Sequence, residues 1–128
     1  MITHQTIQKT AQGIGSGIKK VELLAGSWDG AYAVALVVID DIMPDAEIHE
    51  NAVDVWHVLK GRGKFILGGT LVEPKEVRQG EFIAAVIEDG SVHEVSEGDV
   101  IDIARGVPHQ IDARGSRLEM CIVKVNQT

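Results

Sequence analysis

Residues 97–111 read EGDVIDIARGVPHQI, and the fold is decided by how this stretch is cut. Gly98-Asp99 turns the chain. Val100–Ile103 is an apolar run of strand length, and Gly106-Val107-Pro108 breaks it. His109 then opens the next short strand, His109–Asp112, so it leaves a rigid turn in a fixed direction.

The same rhythm runs through most of the chain. Lys19–Ala25 alternates weakly, and Asp29-Gly30 is a hairpin signal. Ala31–Ile39 is apolar enough to be covered on both faces. DDIMPD is a turn fixed by Pro44, and the strand readings Glu47–His49, Asp54–Lys60 and Lys64–Leu67 follow it. LVEPKEVRQGE reads as a loop. Strands at Phe82–Ile87, Val92–Val95, Val100–Ile103, His109–Asp112 and Leu118–Val125 complete the pattern. Short strands between Gly turns, at a spacing of about 8–12 residues, indicate an all-β sandwich or barrel. No segment after residue 18 keeps a helical period.

The domain reading is an N-terminal arm over residues 1–18 and one β domain over 19–128, with a short helix near Thr6–Ala11 an option within the arm. GIGSG (residues 13–17) follows a polar arm rather than a strand, so it reads as a hinge and not as a phosphate loop.

Composition narrows the function. Twelve Lys+Arg against nineteen Asp+Glu give a formal charge of −7, opposed to nucleic-acid binding. The apolar run AYAVALVVI is too short to cross a bilayer, and no basic, apolar leader is evident, so a cytoplasmic protein is expected. Cys121 is the sole cysteine and lies in an apolar run, as a buried unreactive thiol would.

The polar residues worth weighing lie in EIHENAVDVWHVLKG, residues 47–61. Alternation puts Glu47 and His49 on one face of a strand. If Asp54, Trp56 and Val58 face the interior of the next strand, His57 faces outward. Two groups from one strand and a carboxylate from the next then converge, a donor set suited to Mn, Fe, Ni or Zn as divalent ions. His93 reads as an exposed strand histidine, and His4 belongs to the arm. Trp56 reads as core and Trp28 as a contact residue near a turn. Arg105 and Gln110 flank His109, within reach of a ligand.

Together the two stretches resemble the cupin superfamily. Its first motif is a Gly, His-x-His, a Glu a few residues on, and a Gly after a strand; its second is a Gly, a Pro-x-Gly turn and a His. DVWHVLKGRG (54–63) is similar to the end of the first, and GDVIDIARGVPHQ (98–110) to the second, with Ala104 at a usual Pro. Counting back from Asp54 puts His49 at the second His and Glu47 at the first, with Asp54 at the Glu. The other alignment, with His49 first and Asn51 second, leaves a short gap to Asp54. The resemblance, over roughly residues 20–126, implies a single-domain jelly-roll barrel (double-stranded β-helix). Glu47, His49, Asp54 and His109 would then be ligands of a divalent metal facing a pocket for a small-molecule ligand. It also implies a homodimer, with Lys19–Ala25 as the strand for exchange. Function is then a metal-dependent isomerase, lyase or oxygenase, or a binding module without turnover. Without a metal, the carboxylates of Glu47 and Asp54 should repel, and one should titrate high.

Overall fold

A computed structural model describes residues 1–127; Thr128, the last residue of the expected β domain, lies outside the described residues. One helix, α1 (His4–Gln12), precedes twelve strands. These are β1 (Lys19–Gly26), β2 (Tyr32–Asp40), β3 (Ala46–His49), β4 (Ala52–Leu67), β5 (Thr70–Leu71) and β6 (Lys75–Arg78). They continue as β7 (Glu81–Ala84), β8 (Ile87–Glu88), β9 (Ser91–Ser96), β10 (Val100–Ile103), β11 (His109–Asp112) and β12 (Arg117–Asn126).

All pairings are antiparallel, and ten strands join into one curled sheet running β1-β2-β12-β4-β11-β3-β7-β6. The remaining members of that sheet, β9 and β10, both pair with β4. β4 is the hinge of the architecture. Its first half pairs with β12 and β10, and its second half with β11 and β9. The sequence reads two strands here, separated by Gly61 and Gly63; the backbone instead continues through both glycines as a single strand. Gly61 sits at φ 88°, and a Cβ there would lie 1.9 Å from the Arg117 carbonyl oxygen. Only glycine permits this close crossing while the strand turns from one wall to the other.

Curling folds the inner faces onto one core. Ala35, Val37 and Ile39 of β2, Leu118, Met120 and Ile122 of β12, and Trp56 and Val58 of β4 meet Phe65, Val95, Ile103 and Ile111. Trp56 stacks edge-on to Phe65, with ring centroids 5.8 Å apart. The inward parity of Asp54, Trp56 and Val58 matches the reading from alternation, and His57 is exposed.

β2 is buried on its outer face too, because α1 lies across it. Ala11 packs with Leu36 and Val38, joined by Ile7, Ile14, Leu24 and Leu59. The helix starts at Thr3, whose side chain accepts from the Thr6 N–H, and ends at Gly13. GIGSG is therefore the exit of a docked helix. Arg117 fastens it, donating to the carbonyls of Ala11, Ile14 and Gly15 and to the Asp40 carboxylate. Periodicity in nine mostly polar residues marked this helix only weakly; its stability comes from packing.

One further reading shifts. Lys75–Arg78, within the stretch read as a loop, forms edge strand β6 against β7. All four residues are exposed, so no alternation marks them. β1 pairs with β2 of its own chain.

Candidate metal centre

The polar residues of the core gather at one end of the curled sheet, and strand register explains how. On β3, Glu47 lies directly across from His109 of β11, and His49 lies directly across from Glu81 of β7. On β4, Asp54 lies directly across from Lys124 of β12. The turn Ala104–Pro108 is tied to the same place, since the Gly106 N–H donates to the His49 carbonyl at 2.8 Å. Gly106 needs its positive φ of 76° to point that way.

All four residues singled out in the sequence are brought together. His49 Nε2 lies 3.3 Å from Glu47 Oε2 and 3.3 Å from Asp54 Oδ2. His109 Nε2 lies 3.7 Å and 3.8 Å from the same two oxygens. One ligating atom each from Glu47, His49 and His109 fall within 4.8 Å of one another. The imidazole rings are 5.0 Å apart and tilted. Asp54, one methylene shorter than Glu, stands beside this group of three and not within it, its Oδ2 3.3 Å and 3.8 Å from the Nε2 atoms of His49 and His109.

Each histidine is oriented by its other nitrogen. The Nδ1–H of His109 donates to the Val107 carbonyl at 3.1 Å, which leaves the Nε2 lone pair facing the cluster. The Nδ1 of His49 lies 2.8 Å from Glu81 Oε2, and as donor it too turns Nε2 inward. Lys124 Nζ, 3.3 Å from Glu81 Oε1, braces that carboxylate. Lys124 and Glu81 were missed in the sequence. Lys124 had a signal: in RLEMCIVKV it falls in phase with the buried Leu118, Met120 and Ile122. Glu81 had none, standing at the start of a strand just after Gly80.

The electrostatics are unusual for a protein interior. Asp54 is 1% and His109 3% exposed. Neither Asp54 oxygen, nor His109 Nε2, finds a hydrogen-bond partner of good geometry among the described residues. Burial disfavours an imidazolium at His49, but Asp54 and Glu47 outweigh it and push the pKa up to about 10. Burial would likewise raise Glu47, yet His109, His49 and Lys19 together hold its carboxyl far below the usual range. For Glu47, the nearby cationic and N–H groups thus win over like-charge repulsion.

The donor set fits a divalent ion. A carboxylate oxygen of Glu47 and one ring nitrogen each of His49 and His109 lie within 4.8 Å of one another, and the buried Asp54 Oδ2 stands 3.3 Å from His49 Nε2. Atoms that share one ion at about 2.1 Å lie roughly 3–3.5 Å apart, close to the separations here. A narrow cleft of about 10 Å³ adjoins Glu47 and His109. Two larger ones lie outside the cluster. One, of about 420 Å³, is lined by Trp28, Arg78, Glu81 and Lys124 among others; the second, of about 380 Å³, lies by Arg62, Lys64 and Arg114. Gln110 does not face a ligand; its amide donates to the Pro44 and Ala85 carbonyls. His93 and Arg105 are exposed, and His4 lies on α1.

No family model matches the chain, and no curated protein matches it in sequence. Solved structures do match in three dimensions. A cupin 2 conserved barrel domain protein from Rhodopseudomonas palustris superposes with TM-score 0.57 at 22% identity, covering 84% of this chain and 60% of that one. The fold is a cupin barrel. A DMSP lyase from Ruegeria pomeroyi DSS-3 shares the cupin barrel at TM-score 0.60 and 16% identity, covering 90% of this chain and 52% of the lyase. The polyketide cyclase RemF from Streptomyces resistomycificus shares it at TM-score 0.58 and 19% identity, covering 87% and 67%. The chain thus spans between about half and two thirds of the length of these neighbours. Among the described residues no helix is long and apolar enough to cross a membrane.

Proposed function

We propose that Glu47, His49, Asp54 and His109 hold a divalent ion (Mn, Fe, Ni or Zn), and that the cupin barrel is a metal-dependent enzyme. Its substrate is a small oxygen-rich molecule, and its reaction is of the isomerase, lyase or oxygenase type. The observation that carries this is the grouping of Glu47, His49 and His109 ligand atoms within 4.8 Å, beside buried Asp54 oxygens and a His109 Nε2 without partners among the described residues. Buried polar atoms are nearly always satisfied, and a cation at this group would satisfy those of Asp54 and His109. The lyase and the cyclase among the structural neighbours are enzymes by name, which supports chemistry rather than storage.

A bound ion supplies Lewis acidity toward a substrate oxygen, or redox chemistry if the metal permits it. The chain's own groups do the rest. Glu81 and Val107 fix the two imidazoles. Glu47 is the most open of the four: its side chain is 32% exposed, and Oε1 faces Lys19 while Oε2 faces the histidines. The reading includes a cytoplasmic homodimer. It is supported by Val21 and Leu23, which stand 40% and 43% exposed on the edge strand β1, opposite core residues Val37 and Ala35.

One feature favours a second reading, a binding module without turnover: the cleft beside the cluster admits little more than one water-sized group. Elemental analysis of untagged protein, purified without added metal, decides the first step. Near-stoichiometric metal, lost in His109→Ala and in Asp54→Asn, is the expected result. Protein that stays metal-free after reconstitution with each of the four ions overturns the enzyme reading. Metal with no turnover on small hydroxy and keto acids leaves the module as the function. Light scattering at twice 13.8 kDa is expected for the dimer.

A further inference from the structure

The narrow cleft holds a second unsatisfied group, of opposite polarity to the cluster. Trp56 is 5% exposed, and its indole N–H has no partner among the described residues. Its ring is held edge-on to Phe65, so the donor is fixed in place. Trp56 lines the cleft together with Lys19, Glu47 and His109. The Lys19 ammonium stands 3.8 Å from Glu47 Oε1, too far for a hydrogen bond, and so keeps protons to give. Trp56, with its unpartnered donor, and the Lys19 cation thus line a space of about 10 Å³, room for one oxygen atom, beside Glu47 and His109.

We propose that this cleft binds one oxygen of a small monocarboxylate, with the Trp56 indole N–H and the Lys19 ammonium as its donors. The inference rests on the cation reading for its charge balance. A divalent ion neutralises Glu47 and Asp54, and Glu81 with Lys124 is already balanced, so Lys19 is opposed only by the exposed, solvent-screened Asp45. Asp45, exposed at the rim of the same cleft, opposes a second negative charge on the ligand. A monoanion therefore fits better than a dianion or a neutral sugar. Cleft size limits the group that enters to a single oxygen, the remainder of the ligand lying toward the opening.

The two tryptophans make the test direct, because Trp28 lines a different cleft and serves as internal reference. The ¹⁵N-indole signals are assigned with Trp28→Phe, and acetate is titrated into zinc-loaded and metal-free protein against sodium chloride at equal ionic strength. The expected result is a saturable movement of the Trp56 signal with Trp28 unmoved, and at least tenfold weaker binding in Lys19→Met. Lys19 lies on the exposed edge strand, so that variant keeps the fold, which circular dichroism checks. A Trp56 signal that moves no more with acetate than with chloride in the zinc-loaded form overturns the proposal, as does equal affinity in Lys19→Met. Zinc uptake is read separately by isothermal titration. If zinc fails to bind, the metal reading falls and the carboxylate site, whose charge balance needs the ion, falls with it; zinc that binds while the Trp56 signal stays unmoved overturns the carboxylate site alone.

Discussion

His49 Nδ1 and Glu81 Oε2 are 2.8 Å apart, across one rung of the β3–β7 ladder. That contact settles which nitrogen of His49 faces the core. With Nδ1–H given to a carboxylate, Nε2 is the atom left to bind an ion, and it gains basicity. Glu81→Gln keeps the shape and removes the charge. Metal affinity is expected to fall about 10–100-fold. Isothermal titration of zinc into both proteins measures it; equal affinity would deny Glu81 any part in orienting His49.

Metal-free protein should show a pH profile opposite in its two limbs. The folded pKa of His49, at about 10, lies above its ordinary value, so its contribution is complete below about pH 6.5 and is lost progressively toward pH 10. Glu47 and Asp40 are both held low, so they stabilise above the usual carboxylate range and lose that contribution as acid protonates them. Arg117 and the Gly17 N–H depress Asp40; the N–H is the stronger cause. Thermal midpoints are therefore expected to decline on both sides, with the alkaline decline reduced when zinc replaces the His49 proton. An alkaline limb identical with and without zinc contradicts this.

Gly61→Ala places a Cβ 1.9 Å from the Arg117 carbonyl at a backbone φ of 88°. Backbone must move on one strand or the other, and a loss of at least about 2 kcal/mol is expected. Gly98 has a similar φ of 95° but open space around it, so Gly98→Ala carries only conformational strain, about 1–2 kcal/mol. Urea midpoints of the two variants should differ in that order.

Arg117→Met removes the hydrogen bonds that hold the exit of α1 while keeping the apolar stem over the sheet. Its partly exposed guanidinium is discounted for water, leaving about 1 kcal/mol. Limited proteolysis should then cut faster within residues 1–18, with the barrel unchanged. Unchanged cleavage would mean that the contacts of Ala11, Ile7 and Ile14 alone seat the helix.

Alternation and turn chemistry were written plainly. Inward parity of Asp54, Trp56 and Val58, the turn before His109 and the two-sided burial of β2 could all be read from residue order. The short edge strand β6 could not, because four exposed residues carry no pattern. The docking of α1 was equally hidden, since its partners Leu36, Val38 and Arg117 lie far along the chain.

The sequence by itself determined most of the strands and turns and an all-β sandwich or barrel, because these follow from local period, and its resemblance to the cupins singled out Glu47, His49, Asp54 and His109. Tertiary structure alone decided what surrounds them. Glu81 faces His49, Lys124 reaches both, and the Trp56 N–H is left without a partner. Such relations depend on the register between strands distant in sequence and on the crossing at Gly61, and register is fixed by the packing of the whole core.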